Sequence, residues 1–142
     1  MVKQLSVFLP NKPGVLAKFT ALLGQNAINI RALTVADTAD YGVLRLIVND
    51  PEKCTKMLKD ENYLVSETEV IALQVEDKPG GLHKVAKLMG DNGINIEYLY
   101  STLTPITGAA IILLRVNDLE KAVKTLQTNK IKVLQGKDVF GI

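Results

Sequence analysis

One segment of the chain occurs twice, and this repeat constrains the fold more than any other feature of the sequence. Residues 11–30 read NKPGVLAKFTALLGQNAINI, and residues 77–96 read DKPGGLHKVAKLMGDNGINI. From Lys12 to Ile30, 11 of the 19 aligned residues are identical in the second copy. A looser match continues into NDPEKCTKML and NDLEKAVKTL, so the chain is read as two copies of one unit. We place the units at residues 1–68 and 69–142.

Each unit is predicted to have the order β-α-β-β-α-β. Leu5, Val7 and Leu9 recur at every second position, as in a strand, and the Pro-Gly turn after them leads into apolar residues at helical spacing. Two β-rich runs on either side of DTAD, residues 37–40, predict a hairpin. Asp50 and Asp118 are expected to cap the second helix of each unit. Closing strands are predicted near residues 64–66 and 131–134, and the second unit begins with a strand at 71–76.

This element order predicts an α+β fold, a ferredoxin-like βαββαβ sandwich in two tandem repeats. In that topology the strands of a unit lie in the order 4-1-3-2, with both helices on one face of the sheet. The second strand of each unit is then at an edge, where an unpaired strand can accept another chain.

The sheet face opposite the helices is also predicted to be covered. Ile111 and Leu113 point to that face, whereas a half-exposed antiparallel sheet should carry polar residues there. Another sheet, from the same chain or a second one, is the simplest cover. Because almost no linker separates the two units, the chain must stack its sheets or join them by other edges. We therefore predict a homodimer that uses the exposed second strands and the face of Ile111 and Leu113.

Composition argues against several functional classes. The net charge is +2, with 17 basic and 15 acidic residues intermixed, which gives no electrostatic surface for nucleic acid or an anionic membrane. The N-terminus does not resemble a signal peptide, and the apolar runs are too short to span a bilayer. With one cysteine and one histidine, a His/Cys zinc site is not expected. We predict a cytoplasmic protein without a metal or cofactor.

The sequence contains few candidate catalytic residues. His83 is expected on the surface, and Cys54 is expected to be buried as a small apolar group. RNA-recognition modules share the sheet order but stack bases on exposed aromatic residues. Here aromatic residues are 5% of the chain, and the alternation from Ile94 and Ile96 points Tyr98 and Tyr100 at the helices. An enzyme is therefore not predicted.

The repeated motif resembles a known family. An N/D-x-P-G-x-L turn after the first strand, a helix, and then G/A-I-N-I before a hairpin are similar to the ACT domain, a small ligand-binding regulatory module. The first unit is especially similar to the regulatory domain of phosphoglycerate dehydrogenases. The resemblance covers both units, and it implies an amino-acid site between paired modules. The residues it assigns to ligand binding are Asn11, Pro13, Gly14, Val15, Leu16, Asn29 and Ile30 in the first unit and Asp77, Pro79, Gly80, Gly81, Leu82, Asn95 and Ile96 in the second.

The chemistry of these residue types suits a free amino acid. An amide side chain both donates and accepts, as a carboxylate and an ammonium together require. Gly14 and Gly80 allow close approach to the backbone and open helices whose first N–H groups attract a carboxylate. Asp77 only accepts, so the two sites should differ, and the pair Gly80-Gly81 is expected to loosen the second turn. Each residue also has a structural alternative, because Asn, Asp and Gly are common in turns and caps.

The resulting hypothesis is a non-catalytic regulatory protein. It binds a free amino acid, small or aliphatic, at module interfaces and acts on a partner such as a regulated enzyme. Two alternatives remain open at this level: a regulatory subunit that works by protein contact without a ligand, and an RNA-binding module.

Overall fold

The computed structural model describes residues 1–37, 40–103 and 108–140, with only the backbone at residue 140. The elements are β1 (Val2–Pro10), α1 (Val15–Gln25), β2 (Ile30–Asp37), β3 (Tyr41–Val48), α2 (Pro51–Asp60), β4 (Val65–Glu76), α3 (Gly81–Asp91), β5 (Ile96–Ser101), β6 (Ala109–Val116), α4 (Leu119–Thr128), β7 (Val133–Leu134) and α5 (Gly136–Phe140). The predicted β-α-β-β-α-β order is confirmed in both halves. The predicted hairpin segment DTAD includes residues 38 and 39, which lie outside the described residues.

The strand order also agrees with the prediction. In the first half the strands lie in the order β4-β1-β3-β2, and in the second half in the order β7-β4-β6-β5. Every pairing is antiparallel. Each half therefore has the 4-1-3-2 arrangement of a ferredoxin-like sandwich, and the sequence prediction of the fold class is confirmed.

The junction between the halves differs from the prediction of two separate strands. One continuous strand, β4, closes the first half and opens the second. Residues 65–70 pair with β1, and residues 71–76 pair with β6. The prediction ended one strand near residue 66 and began the next at residue 71, yet Ser66, Glu67 and Glu69 are exposed positions of one strand. The division between residues 68 and 69 stays a prediction, since it falls inside this strand.

The helices of each half cover one face of its own strands. In the first half, Leu5, Val7 and Leu9 pack with Phe19 of α1 and Leu58 of α2. The second half has the equivalent core, in which Ile71, Leu73, Ile112 and Leu114 pack with residues of α3 and α4 such as Met89 and Leu126. The predicted apolar strand face and the helical periodicity are both confirmed by these two cores.

A third core lies where the two halves meet, and we call it the seam. It contains Val2, Ala32, Ile47, Val70, Ala72, Tyr100, Ile111, Leu113, Leu134 and Val139. Ile111 is 7% exposed and Leu113 is fully buried. The same chain therefore covers the face that we had assigned to a dimer contact, and that part of the prediction is wrong.

The two edge strands are also closer together than predicted. Ala32 of β2 forms an antiparallel bridge with Thr102, just after β5, and the Leu103 N–H donates to the Arg31 carbonyl at 2.8 Å. This bridge links the two ends of the strand path β2-β3-β1-β4-β6-β5. Because the two sheets stack, the edge strands β2 and β5 meet at this bridge. At that point the two edges pair with each other rather than with another chain.

The orientation predicted for the two tyrosines is wrong. Tyr98 and Tyr100 pack into the seam, whereas Ile94 and Ile96 face the helices. The β5–β6 register shifts between Ile96 and Tyr98. A one-residue irregularity of this kind moves all later side chains of a strand to the opposite face. Tyr100 is 8% exposed, so it is not available to stack on a base.

A buried polar group lies within this apolar seam. Gln4 is fully buried, and its amide donates to the Tyr98 hydroxyl at 2.8 Å and to the Ser6 hydroxyl at 3.2 Å. The Tyr100 hydroxyl donates to Gln4 Oε1 at 2.7 Å, and burial raises the pKa of Tyr100. The Arg45 guanidinium lies 4.0 Å from the centre of the Tyr98 ring. Because these contacts join β1 and β3 to β5, they tie one half of the chain to the other.

Candidate functional site

The first repeated turn lies at the end of β1, where the chain reverses into α1. Gly14 has φ +83°, which favours glycine, and it precedes α1 without any side-chain cap for the first-turn N–H groups. Asn11, three residues earlier, donates from Nδ2 to the Asp37 carboxylate at 3.0 Å. Asp37 is the last residue of β2, so this contact joins the turn to the edge strand.

A cleft opens beside this turn. Its volume is about 350 Å³, within the usual range for small-molecule sites. Asn11, Lys12 and Asp37 line it together with apolar side chains from three elements: Leu9, Val15, Leu16 and Val35. Polar groups at one side of an apolar surface are what an amino acid with an aliphatic side chain requires.

A larger depression of about 640 Å³ lies elsewhere, between α4 and the segment around β7. Val123 and Ile131 line it with Lys130 and Lys132. Among the residues assigned to ligand binding from the sequence, none lines it. We therefore take the smaller cleft at Asn11 as the candidate site.

The second repeated turn has different chemistry. Lys78 and Lys84 both form ion pairs with Glu76, the latter at 3.6 Å. The hydrogen bond and charge of Lys78, with the charge of Lys84, hold the pKa of the Glu76 carboxyl below its usual value. Asp77 lies beside this ion-paired cluster, and its backbone N–H donates to the Gly108 carbonyl at 3.1 Å.

Gly81 has a steric role in the second turn. A Cβ atom at Gly81 would lie 2.0 Å from the Glu76 carbonyl oxygen, so the backbones pass too closely for any other residue. Gly80 has the left-handed φ of +84° that Gly14 has in the first copy. The pair Gly80-Gly81 thus allows a tight approach, whereas the sequence had suggested a looser turn.

Asn29 and Asn95 precede the second strand of each half and have exposed side chains. Each backbone N–H donates at 2.9 Å to an asparagine side chain, Asn49 for Asn29 and Asn117 for Asn95. The pairing register places Pro10 beside Tyr41 but Ile30 beside Val48, at opposite ends of β3. Seven residues of strand span roughly 24 Å. Asn11 and Asn29 of one half are therefore not brought together.

The bridge between β2 and β5 aligns the two halves. It therefore determines which residues of one half lie on the same side of the bridge as residues of the other half. The strands run antiparallel at Ala32 and Thr102. The C-terminal half of β2, with Asp37, therefore lies on the same side of the bridge as the start of β5, next to Asn95. By the same geometry Asn29 lies on the side of Leu103. Each Asn-Ile segment is thus directed towards the turn of the other half.

The remaining residues assigned to the site have simpler positions. Pro13, Pro79 and Leu82 are exposed. Ile30 packs against the core between the first-half strands and their helices, and Ile96 packs against the equivalent core of the second half.

Comparison with known proteins determines the family. The whole chain, residues 1–142, matches the family described as "ACT domain pair". The chain belongs to the ACT domain pair family. The resemblance found in the repeated turns is therefore confirmed for both halves.

Solved structures of similar fold cover almost the whole ACT domain pair. A protein from Bacteroides thetaiotaomicron is 37% identical, with a TM-score of 0.92 over 99% of this chain and 96% of that one. The ligand-free regulatory subunit of aspartate kinase from Thermus thermophilus is 14% identical, with a TM-score of 0.64 over 89% of this chain and 90% of that one. At that identity the second structure supports the fold alone. No curated protein matches the chain.

The reactive side chains of this ACT domain pair are placed as predicted from the sequence. His83 is exposed on α3. Cys54 is fully buried in the first core, and burial, with a smaller effect from the charge of Asp50, raises the pKa of its thiol to about 11. A thiol with that pKa stays protonated and unreactive at neutral pH. Within residues 1–37, 40–103 and 108–140, no group of three or more His, Cys, Asp or Glu residues could hold a metal ion.

The predicted helix caps are confirmed. The Lys53 N–H donates to Asp50 Oδ1 and the Lys121 N–H to Asp118 Oδ1, both at 3.0 Å.

None of the helices described in the structure is long and apolar enough to cross a membrane. The cytoplasmic location stays a prediction.

Three residues that contact or adjoin the residues assigned to ligand binding were missed by sequence reasoning. Asp37 appeared only as part of a polar hairpin segment, and Asn49 appeared only within the repeated segment NDPEKCTKML, where it corresponds to Asn117. Arg31 follows Ile30 on β2, and its Nε atom is buried without a hydrogen-bond partner in the part of the chain that the structure describes. The repeat itself was a usable signal for Asn49, because the Asn-Asp pair recurs before both helices.

Proposed function

We propose that this ACT domain pair is a non-catalytic regulatory protein that binds a free amino acid and transmits the binding to a partner protein. The observation that carries the proposal is the cleft at Asn11, which combines an apolar floor with the Asn11–Asp37 pair and the uncapped start of α1. Such a site can accept both charged groups of an amino acid together with an aliphatic side chain.

The proposal places binding groups on both ACT units. Asn11 lines the cleft of the first unit, and Gly14 lies in the same turn. The antiparallel bridge between β2 and β5 puts Asn95 of the second unit on the same side of the bridge as Asp37, although Asn95 does not line the cleft. Asp77, Gly80 and Asn29 have the corresponding places at the other end. A ligand held between units stabilises one relative arrangement of the two halves, which is how binding is communicated to a partner.

A thermal-shift measurement with the twenty amino acids tests this proposal. At millimolar concentration we expect at least one aliphatic amino acid to raise the melting temperature, because a ligand that binds only the folded state stabilises it by RT ln(1 + [L]/Kd). A labelled oligonucleotide serves as the comparison and should give no shift. If no amino acid stabilises the protein, the proposal is refuted in favour of a subunit that acts by protein contact alone.

We further propose that the protein is a homodimer, but through a different surface from the one predicted. The seam-facing side of the first half continues beyond the part that the second half covers. There Phe8 is 49% exposed, Tyr41 59% and Leu64 73%. The Phe8 N–H donates to the Leu64 carbonyl at 3.3 Å, which places the two residues side by side. The sheet of the second half covers the rest of this face. A sheet of the same fold from a second copy of the chain can cover the exposed part, so we take a second copy as the partner.

Replacing Phe8 with lysine should convert this dimer to a monomer, because the charge would be placed in the apolar contact. Sedimentation velocity at micromolar concentration measures the change. Leu82→Lys, at an exposed leucine of α3, is the matched control and should remain dimeric. A wild-type protein that sediments as a monomer with and without amino acid would refute the dimer.

A further inference from the structure

The two ACT units differ most clearly at Asp37. In the first unit the Asp37 carboxylate accepts from Asn11 Nδ2 and lines the cleft. It forms no ion pair with a lysine or arginine among the described residues, although Lys12 also lines the cleft. The repeat aligns Asp37 with Leu103 in the second unit, which is 59% exposed.

The apolar part of the cleft indicates what kind of side chain lies next to this carboxylate. Leu9 is buried, with 5% of its surface exposed, while Leu16 and Val35 expose 44% and 49% of theirs, and all three line the cleft. Exposed apolar groups on both sides of a cleft gain from covering each other with an aliphatic ligand. Leu9, Leu16 and Val35 themselves offer no partner to a charged ligand side chain.

The second turn lacks the pair of an amide and a carboxylate that the first turn has. Asp77 replaces Asn11, so the turn has no amide to donate, and the nearby Glu76 is already held by Lys78 and Lys84. A ligand carboxylate brought next to Asp77 would be repelled by the Asp77 carboxylate. The second unit therefore offers no equivalent pair for an amino acid.

From this asymmetry, and resting on the proposed function, we propose that Asp37 binds the ammonium of an aliphatic α-amino acid and that each chain holds one such ligand, in the first unit. Asn11 then releases its bond to one Asp37 oxygen and donates to the ligand carboxylate. Val15 and Leu16, the first residues of α1, line the cleft, so the first-turn N–H groups, which have no side-chain cap, can assist.

Calorimetric titration of the wild-type protein and of Asp37→Asn tests the role of the carboxylate. The ligands are L-leucine, L-valine and 2-hydroxy-4-methylpentanoate, which has the leucine skeleton with a hydroxyl in place of the ammonium. The wild type should bind one amino acid per chain and discriminate against the hydroxy acid. Asp37→Asn should bind the amino acids at least about tenfold more weakly, as expected for losing a hydrogen bond to a charged group, and should lose that discrimination.

Asp40→Asn is the matched control, because Asp40 lies in the same hairpin region but does not line the cleft. It should bind within about twofold of wild type, since an exposed charge acts weakly at a distance. Asp37→Asn that binds leucine as well as wild type, two ligands per chain, or preference for a charged or polar amino acid would each overturn the inference. A wild-type protein that binds none of the twenty amino acids would instead refute the proposed function itself.

Discussion

Replacing Gly81 with alanine is expected to lower the free energy of unfolding by about 3 kcal/mol, since overpacking against rigid groups typically costs 1–3 kcal/mol and occasionally more. The new Cβ would lie 2.0 Å from the Glu76 carbonyl oxygen, a backbone atom that a rotamer change cannot move aside. The start of α3 or the end of β4 must therefore shift. Urea denaturation monitored by circular dichroism measures the loss.

Gly90→Ala is the control for this substitution. Gly90 also lies in α3, but a Cβ there would have no heavy atom within 4 Å apart from the neighbouring backbone of its own helix. Because alanine favours helix over glycine by up to about 1 kcal/mol, this variant should be as stable as wild type or more so. Equal stability of Gly81→Ala and Gly90→Ala would contradict the close approach seen in the structure.

Replacing Gln4 with leucine is expected to destabilise the protein by about 3 kcal/mol, because stranding a buried polar group costs about 1–3 kcal/mol and two groups are affected. The Tyr100 hydroxyl would lose its acceptor, and the Tyr98 hydroxyl would lose its donor. Chemical denaturation measures the effect. Gln74→Leu, at an exposed position of β4, is the matched control and should change stability by no more than about 0.5 kcal/mol.

A double variant separates the hydrogen bonds from the packing of the seam. Adding Tyr100→Phe to Gln4→Leu removes the stranded hydroxyl, so the double variant should be less destabilised than the sum of the two single variants. Strict additivity would mean that Gln4 and Tyr100 are not coupled and that the network does not hold the two halves together.

The repeat made most of the fold predictable. Alternation in β1, helical spacing in α1 and the capping residues Asp50 and Asp118 are local signals, and all of them are confirmed. The even apolar character of β6 also indicated correctly that both faces of its sheet are covered. What the sequence did not reveal was which chain provides the cover, because that depends on how the two sheets stack.

Other features depend on contacts between distant residues. The bulge after Ile96 changes the face of Tyr98 and Tyr100, yet it adds no turn residue that a pattern could detect. β4 passes from one half to the other through exposed polar positions that look like a loop. At the candidate site, the turn around Gly14 was visible in the sequence, but Asp37 was not, because its contact with Asn11 spans 26 residues.

NMR titration of the ¹⁵N-labelled protein with L-leucine and L-valine shows directly whether a free amino acid binds in the cleft of the first unit. We expect saturable shifts of the backbone amide signals of Asn11, Gly14, Leu16 and Asp37, with the signals around Asp77 and Gly80 unaffected. Absence of saturable shifts at millimolar ligand, or shifts confined to the second turn or to the depression beside α4, would contradict it.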